Sequence, residues 1–351
     1  MNRTISIVVP AYNAAEFIGD TIDSLQRQTY RPIEIIVVDD GSTDGTAAFV
    51  RDNFPDVNLI EQRNQGAAAA RNAGIAVATG ELIGFVDADD RWLPDAAARL
   101  EAALRQSPES VALAYAWSTF IDDRGRPIGS GLPSFIAGDV WATLVAVNFL
   151  GNASATLVRR PAFERVGLFD TSLKTQDASG CDDWDLYLRI AERFQFAVVP
   201  EYLIEYRKIP GSMTVGNPDS MSRSHAMVLR RMTERGVHLP WLVRRMSHAI
   251  FYTYLASECR RHGRFRESQS CLAKAVWRGM PWICLLPSFY TCIANVLLRR
   301  KGDSGAASSV RTADSVGANR RFDAVLLRGV HRVLSKACGQ IPRQMVVSDP
   351  P

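Results

Sequence analysis

Three carboxylates stand within four positions at the end of an apolar run. The run from Leu82 to Val86 is followed directly by Asp87-Ala88-Asp89-Asp90. Two aspartates spaced two apart in extended chain can share one hard divalent cation, because such ions prefer oxygen ligands. Aspartate is also common in turns and at helix N-caps, so an aspartate-rich turn ahead of the next helix is the alternative interpretation. The segment is a candidate for a divalent metal site.

A second pair of aspartates ends another β-branched run, in Val37-Val38-Asp39-Asp40-Gly41-Ser42-Thr43-Asp44. A carboxylate at this place can accept hydrogen bonds from a nucleobase N–H or from ribose hydroxyls, and glycine permits close backbone approach. Simple capping of the following helix by Asp40 or Ser42 explains the same residues. The spacing alone does not separate the two interpretations.

Three further residues are candidates for chemistry. Tyr12, beyond the first predicted strand, either stacks on a nucleobase or is structural. Arg71 is the long cation of an alanine-rich segment, and it reaches a phosphate, pairs with an aspartate or lies in solvent. Asp183, in Cys181-Asp182-Asp183-Trp184-Asp185, either serves as a general base or only complements a helix N-terminus.

The elements that must position these residues alternate along the first hundred positions. The apolar patterns predict strands at Ile5–Val9, Ile33–Val38, Val57–Glu61 and Leu82–Val86, separated by helices at Glu16–Gln28, Thr43–Arg51 and Ala67–Ala78. Such alternation is typical of βαβ units with a buried parallel sheet, whose carboxyl edge binds ligands. Later patterns predict further elements at Pro94–Arg105, Val111–Ile121, Thr156–Arg159, Asp183–Phe194, Phe196–Val199, Leu242–Arg261 and Phe265–Arg278.

The charge of the chain is divided between an acidic front and a basic rear. Residues 1–206 carry 17 Lys+Arg against 29 Asp+Glu, and residues 207–351 carry 24 against 8. The acidic part suits a metal site, and the basic part suits an anionic partner such as a membrane lipid or a diphosphate-linked acceptor. Nucleic acid is disfavoured, because no recognition fold accompanies the charge. The six cysteines show no CxxC pairing and are expected to be free cytosolic thiols.

No segment reads as a signal peptide or as an uninterrupted membrane span. The stretch Trp282 to Leu298 comes closest, and Pro287, Ser288 and Asn295 interrupt it. We expect a cytoplasmic protein, with peripheral contact between its basic helices and the anionic inner face of the cell membrane as one hypothesis. An internal helical core with solvated arginines is the alternative.

Five segments, taken together, resemble the non-processive, bacterial-type family 2 glycosyltransferases. They are Ser6–Asn13, Val37–Asp44, Ala70–Gly74, Asp87–Asp90 and Asp182–Leu186, in the family's order and spacing over about residues 4–215. The resemblance implies an α/β GT-A fold, with a Rossmann-like, mostly parallel central sheet, flanking helices and a C-terminal helical appendage. We expect a catalytic domain at 1–215, a helical region at 216–300, a linker at 301–319, and a basic amphipathic helix and tail at 320–351.

The resemblance also implies roles for individual residues in binding the donor. Asp89 would be the main ligand of Mg²⁺ or Mn²⁺, with Asp87 facing both metal and ribose. Asp40 would accept from a uracil-type base edge, with Asp39 nearby. The remaining donor-binding set would be Pro10, Ala11, Tyr12, Arg71, Ala88 and Arg207.

Catalysis is implied for Asp183, which matches the position of the family's general base. Asp182 stands where a glutamate is usual, and this keeps the charge but shortens the reach. Ile209 replaces a histidine that is common in the family's loop over the diphosphate, so that Arg207 or Lys208 would serve the phosphates instead.

The activity so implied is inverting transfer of a sugar from a nucleotide-diphosphate donor, UDP-linked by preference, to a hydroxyl of a glycan or lipid-linked acceptor, in cell-surface polysaccharide synthesis. A sugar nucleotidyltransferase is disfavoured, because no glycine-rich loop follows the first strand. A processive synthase is disfavoured, because no Gln-x-x-Arg-Trp segment is present. A non-catalytic sugar-nucleotide-binding module is the alternative that is not an enzyme.

Overall fold

The computed structural model describes residues 3–209 and 217–280, and residues 328, 329, 331, 332 and 334. The described residues fall into two compact units. The sheet unit contains residues 3–141 and 150–209, and the helical unit contains residues 142–149 together with the described residues from 217 onward. The expected domain boundary at residue 215 falls outside the described residues and stays a prediction.

The sheet unit is built on a mixed sheet of nine strands. The strands are β1 Ile5–Ala11, β2 Ile33–Asp39, β3 Asn58–Glu61, β4 Leu82–Phe85, β5 Arg91–Trp92, β6 Val111–Ile121, β7 Pro127–Ser130, β8 Thr156–Arg159 and β9 Gln195–Arg207. Their order is β3-β2-β1-β4-β8-β6-β9-β5, with β7 paired to β6. Strands β3, β2, β1 and β4 run parallel to one another, as does β9 to β6, and β5, β7 and β8 pair antiparallel to their neighbours.

The described part up to residue 209 contains eight α-helices, all in the sheet unit except α5, which falls mostly in the helical unit. They are α1 Ile18–Gln26, α2 Thr46–Asn53, α3 Ala67–Val77, α4 Ala96–Arg105, α5 Trp141–Ala146, α6 Arg160–Val166, α7 Ser172–Thr175 and α8 Asp182–Ala191. The α/β architecture expected from the sequence, with a central sheet and flanking helices, is confirmed. Helix α2 begins three residues later than expected, because Gly45 takes a left-handed conformation and the Asp44 side chain accepts the N–H of Thr46.

The parallel strands form because their β-branched residues are buried on both faces. Ile5, Ile7 and Val9 of β1 are fully buried, and β1 lies between β2 and β4. Gly74 allows helix α3 to pack closely against β1. A Cβ atom at this position would collide with the Val8 side chain. Because β1, β2 and β4 run parallel, their carboxyl ends lie at the same edge of the sheet. Ligands bind at this edge in folds of this class.

The helical unit contains residues 142–146 of α5 together with α9 Pro218–Glu234, α10 Trp241–Arg261 and α11 Phe265–Gly279. Helices α10 and α11 match the predicted helical hairpin to within one residue at each end. Among the described residues, no helix has the length and apolar character needed to cross a bilayer. Cys181, Cys259 and Cys271 are buried free thiols. The segment Trp282–Leu298, the linker 301–319 and most of the basic helix and tail lie outside the described residues.

Candidate functional site

The segment Asp87–Asp90 forms a turn at the carboxyl end of β4, and its three aspartates have different surroundings. Asp90 is fully buried, and it accepts hydrogen bonds from Ser154 Oγ at 2.5 Å and from the backbone N–H of Arg207 at 2.9 Å. Ala88 is buried, and its carbonyl accepts from Thr21 Oγ1 at 2.9 Å. Asp87 and Asp89 remain partly exposed. The two partly exposed carboxylates are the pair that can reach a ligand.

Burial and electrostatic crowding in this turn raise the affinity of Asp89 and Asp90 for protons. Burial raises the pKa of Asp89 to about 6, and the charge of Asp87 adds to the shift. Burial also raises the pKa of Asp90 well above its usual range, with Asp89 and Asp87 adding to it. A bound cation relieves the repulsion between these carboxylates, as a bound proton does.

Arg207 is built into the support of this turn. Its guanidinium donates to the carbonyl oxygens of Asp89 at 2.8 Å, Asp122 at 3.1 Å and Asp123 at 3.0 Å, and to the Asp20 carboxylate at 3.4 Å. The side chain is 1% exposed and its guanidinium lies 4.6 Å from the centre of the Phe17 ring. Arg207, expected to bind the donor's phosphates, is directed here at backbone carbonyls, which accept hydrogen bonds from its guanidinium.

Arg71 connects the turn to the start of helix α8. Its Nη2 donates to Asp87 Oδ1 at 2.8 Å and its Nη1 donates to Asp182 Oδ2 at 2.6 Å. Burial by itself would lower the pKa of Arg71, but the charges of Asp87, Asp182 and Asp183 outweigh it and raise that pKa. The guanidinium, expected to hold the nucleotide, is therefore a permanent cation shared between two carboxylates.

Asp183 lies in the first turn of α8, beside Asp182. The helix N-terminus favours negative charge, but burial raises the pKa of Asp183 to about 7, and the neighbouring Asp182 adds to the shift. Arg71 acts in the opposite direction and lowers the pKa. A carboxylate poised near neutral pH can take a proton from a hydroxyl group at physiological pH.

The loops that follow β1 and β2 lock together at the same edge of the sheet. The N–H of Asn13 donates to Ser42 Oγ at 2.9 Å, the N–H of Thr43 donates to Asn13 Oδ1 at 2.9 Å, and the N–H of Ala15 donates to Asp44 Oδ2 at 3.0 Å. These bonds fix the chain after Tyr12, and the N–H of Asp40 donates to the Ala11 carbonyl before it at 2.7 Å. Tyr12 is 53% exposed, while Pro10 is partly exposed and Ala11 is buried. Tyr12 thus presents its ring at the edge, where a planar base can stack.

Asp39 and Asp40 are both buried at 3% exposure, but they have different partners. Asp40 Oδ1 accepts from Gln62 Nε2 at 2.7 Å and from the N–H of Gln65 at 2.8 Å, and its Oδ2 accepts from the N–H of Gly66 at 2.6 Å. Asp39 Oδ2 accepts from the N–H of Ser42 at 3.1 Å. Asp39 Oδ1 is buried without a hydrogen-bond partner among the described residues. Of these two carboxylates, Asp39 is therefore the one with an oxygen that no described hydrogen bond uses.

Two residues of the site were missed by sequence reasoning. Ser154 donates to Asp90 and also accepts the N–H of Asp87 at 3.0 Å. Asn72 exchanges two hydrogen bonds of 2.9 Å with the backbone of Phe169, over whose ring the Arg71 guanidinium lies. Ser154 lies in a run of small residues with no periodic signal, whereas Asn72 follows Arg71 directly and its polar side chain in an alanine-rich helix is a usable signal.

The donor set at the turn fits Mg²⁺ or Mn²⁺. Asp87 and Asp89 provide hard oxygen donors, and their mutual repulsion is relieved by a cation. No group of three or more His, Cys, Asp or Glu side chains within residues 3–209 and 217–280 is arranged to hold a metal alone. Mg²⁺ commonly binds through one or two carboxylates and completes its shell with water and substrate phosphates. Two available carboxylates satisfy that pattern.

Known proteins that are similar in sequence to this chain include glycosyltransferases. The uncharacterized glycosyltransferase YibD of Escherichia coli K12 is 46% identical over 99 residues, which is 27% of this chain and 29% of that protein. The chondroitin synthase of Escherichia coli is 29% identical over 195 residues, which is 54% of this chain and 26% of that protein. The chain thus spans less than a third of the length of these two relatives.

A solved structure and a family model complete the comparison. The crystal structure of S. aureus TarS superposes with a TM-score of 0.50 at 16% identity, covering 81% of this chain and 55% of that one, and shows the shared fold. The sequence model described as Glycosyl transferase family 2 matches residues 6–167, which include the loops after β1 and β2, Arg71 and the aspartate turn. Residues 6–167 of this chain are therefore similar to the members of glycosyl transferase family 2.

Proposed function

We propose that this protein is an inverting, metal-dependent glycosyltransferase that moves a sugar from a UDP-linked donor to a hydroxyl of a glycan or lipid-linked acceptor. The observation that carries the proposal is the pair of hydrogen bonds from Arg71 to Asp87 and Asp182. These bonds hold the candidate metal turn and the candidate base segment around one cation. A group bound at the turn would therefore lie beside Asp183.

Recognition of the base is assigned to Asp39 and Tyr12. A carboxylate only accepts hydrogen bonds, so it selects a base edge that presents an N–H. Uracil has such a donor at N3, flanked by two carbonyls, whereas cytosine has an acceptor at N3. The buried Oδ1 of Asp39 lacks a partner among the described residues and supports this role, and Asp40 instead holds the loop before α3.

Metal binding is assigned to Asp89, with Asp87 beside it. A divalent cation at this turn would neutralise the charge that develops on the departing nucleotide diphosphate. Asp90 and Arg207 do not contact the donor in this scheme. They hold the turn in shape, because Asp90 accepts from Ser154 and from the Arg207 backbone, and the guanidinium of Arg207 holds the Asp89 carbonyl.

Proton removal is assigned to Asp183. Its carboxylate takes the proton of the acceptor hydroxyl as that oxygen bonds to the anomeric carbon, and the bond from this carbon to the diphosphate oxygen breaks. Attack from the face opposite the leaving group inverts the configuration at the anomeric carbon. Asp182 is a positioning residue, because its carboxylate is engaged by Arg71.

The acceptor class rests on the family and on its relatives. A relative named chondroitin synthase supports a glycan acceptor, and cell-surface polysaccharide synthesis is the process we propose. Peripheral contact with the anionic inner face of the cell membrane is also part of the proposal, supported by the excess of 24 basic over 8 acidic residues in positions 207–351.

The proposal is tested by incubating the purified chain with UDP-sugars or GDP-sugars, with and without Mn²⁺, and measuring nucleotide diphosphate release. We expect release from a UDP-sugar only with the metal, and increased release when a glycan acceptor is added. Asp89→Ala should lose metal-dependent donor binding in calorimetry, while Asp52→Ala on the exposed face of α2 should retain it.

Three results would contradict parts of the proposal. Donor binding without any release of nucleotide diphosphate would indicate a non-catalytic binding module. Formation of a nucleotide sugar from UTP and a sugar phosphate, with pyrophosphate release, would indicate a nucleotidyltransferase. Unchanged donor affinity of Asp89→Ala in the presence of Mn²⁺ would remove Asp89 from the metal site.

A further inference from the structure

The helical unit contains an open cavity of about 360 Å³ among helices α9, α10 and α11. Its lining combines two apolar residues with five that carry polar or cationic groups: Ala226, Leu229, Arg230, Thr233, Arg244, His248 and Arg278. The volume lies within the range of pockets that bind small molecules in proteins. None of these residues belongs to the sugar-transfer site described above.

Positive charge exceeds negative charge in this cavity. Arg230 forms an ion pair of 3.3 Å with Glu234, and both side chains are more than 60% exposed, so the pair is weak. Arg244 donates to Thr233 Oγ1 at 3.3 Å, and Arg278 donates to the Tyr252 hydroxyl at 3.1 Å. Neither Arg244 nor Arg278 forms an ion pair with a carboxylate in the described part of the chain. Two guanidinium groups are therefore available to an anion.

His248 adds a hydrogen-bonding group without adding charge. Burial lowers the pKa of His248 to about 4, and the charges of Arg278, Arg244 and Arg245 lower it further in the same direction. The ring is therefore neutral at physiological pH. Its Nδ1 is buried and has no hydrogen-bond partner among the described residues. A neutral imidazole among arginines suits the oxygens of an anion that carries its own hydroxyl group.

We infer that this cavity binds the phosphate group of a phosphomonoester. The planar guanidinium fork matches two phosphate oxygens at once, which makes arginine the side chain best suited to such groups. The wider surface supports the same ligand charge, because residues 217–280 carry 12 basic against 4 acidic side chains. The inference does not depend on the sugar-transfer reaction.

The phosphomonoester has two possible sources, a lipid headgroup and a water-soluble compound. Trp241 begins α10 and Trp277 lies in the last turn of α11, and they are 60% and 84% exposed. Exposed tryptophan beside arginine is a combination found at membrane interfaces. One arm of the experiment therefore uses glycerol 3-phosphate in calorimetry. The other uses sedimentation with phosphatidylcholine vesicles, with and without phosphatidic acid.

The test compares the full chain with two double variants of equal net charge. Arg244→Gln/Arg278→Gln removes the two available cations, and Arg260→Gln/Arg266→Gln removes two arginines outside the cavity lining. We expect the native chain to bind in at least one arm, the first variant to lose affinity roughly tenfold or more, and the control to keep it. Binding in the soluble arm identifies a free phosphate compound, and binding in the vesicle arm alone identifies a lipid headgroup.

A folding defect is separated from a binding defect by the single variant Arg244→Gln. Arg244 is exposed and makes its hydrogen bond to Thr233, so its loss should leave the thermal unfolding midpoint unchanged while affinity falls. The inference is overturned if the native chain binds in neither arm, or if the cavity variant and the control lose affinity equally.

Discussion

The guanidinium of Arg71 donates a 2.6 Å hydrogen bond to the carboxylate of Asp182, a residue 111 positions further along the chain. The Nη2 atom of the same guanidinium donates to Asp87 Oδ1 at 2.8 Å. One buried cation thereby joins the turn after β4 to the first turn of α8. Because Asp183 follows Asp182 directly, the charge of Arg71 also acts on the proposed base.

Replacing Arg71 with glutamine should destabilise the fold and shift the activity profile. Two carboxylates lose their shared cation, which typically costs about 3–5 kcal/mol for a buried pair. Since Arg71 lowers the pKa of Asp183, its loss should raise that pKa and move the pH midpoint of transfer upward. Urea unfolding and a pH–rate profile measure the two effects. Arg193→Gln, at an exposed position after α8, should change neither.

Replacing Asp183 with asparagine should abolish transfer and leave donor binding intact. The amide keeps the shape of the side chain but cannot take a proton from the acceptor hydroxyl. Calorimetry with a UDP-sugar and Mn²⁺ should give an affinity close to that of the native chain, while kcat falls by about 10²–10⁴. Substantial remaining transfer by this variant would exclude Asp183 as the base.

The rate of transfer should rise with pH until about 7 and then level off. Burial raises the pKa of Asp183 to about 7, and only the deprotonated carboxylate can accept the proton. Below that pH, log kcat should fall by one for each pH unit. Measuring kcat at saturating donor separates this effect from the titration of Asp89, which affects donor binding. A midpoint near 4, the ordinary value for aspartate, would contradict the assignment.

Replacement by asparagine should reduce stability at Asp40 and UDP affinity at Asp39. Asp40→Asn weakens three charge-assisted hydrogen bonds and should lower the free energy of unfolding by about 2 kcal/mol or more. Asp39→Asn should leave stability nearly unchanged but weaken UDP binding by roughly tenfold or more, because the base loses its charged acceptor. Both variants are measured by denaturant unfolding and by UDP calorimetry, and each variant serves as the control for the other. Equal loss of UDP affinity in the two variants would contradict the division of roles.

Arg207→Gln should act through the metal turn. The variant loses the bonds to the Asp89, Asp122 and Asp123 carbonyls, so we expect a loss of about 2–4 kcal/mol in unfolding free energy. Metal-dependent donor affinity should fall, and the weaker binding measured without metal should stay the same. If the metal-free affinity falls equally, Arg207 contacts the donor directly, as the family resemblance implies.

The sequence by itself determined the elements and the positions of the acidic motifs. Apolar runs with β-branched residues located β1, β2, β4, β6 and β8 to within two residues at each end, because burial on both faces of a sheet requires such runs. The aspartates at the ends of β2 and β4 were therefore assigned to one edge before any contact was known. The short strands β5 and β7 and the full length of β9 were missed, because β5 and β7 are too short for periodicity and polar residues interrupt β9.

Only the tertiary structure decided which carboxylate or cation serves which role. Asp39 and Asp40 are adjacent and chemically alike, and they differ because the loop at 62–66 folds back onto Asp40. Arg207 and Asp90 meet across 117 positions, and Ser154 and Asp90 meet across 64. Hydrophobic periodicity reports which face of an element is buried, but not which distant polar group will meet it there. The residues that hold the site in place could therefore be identified only from the tertiary structure.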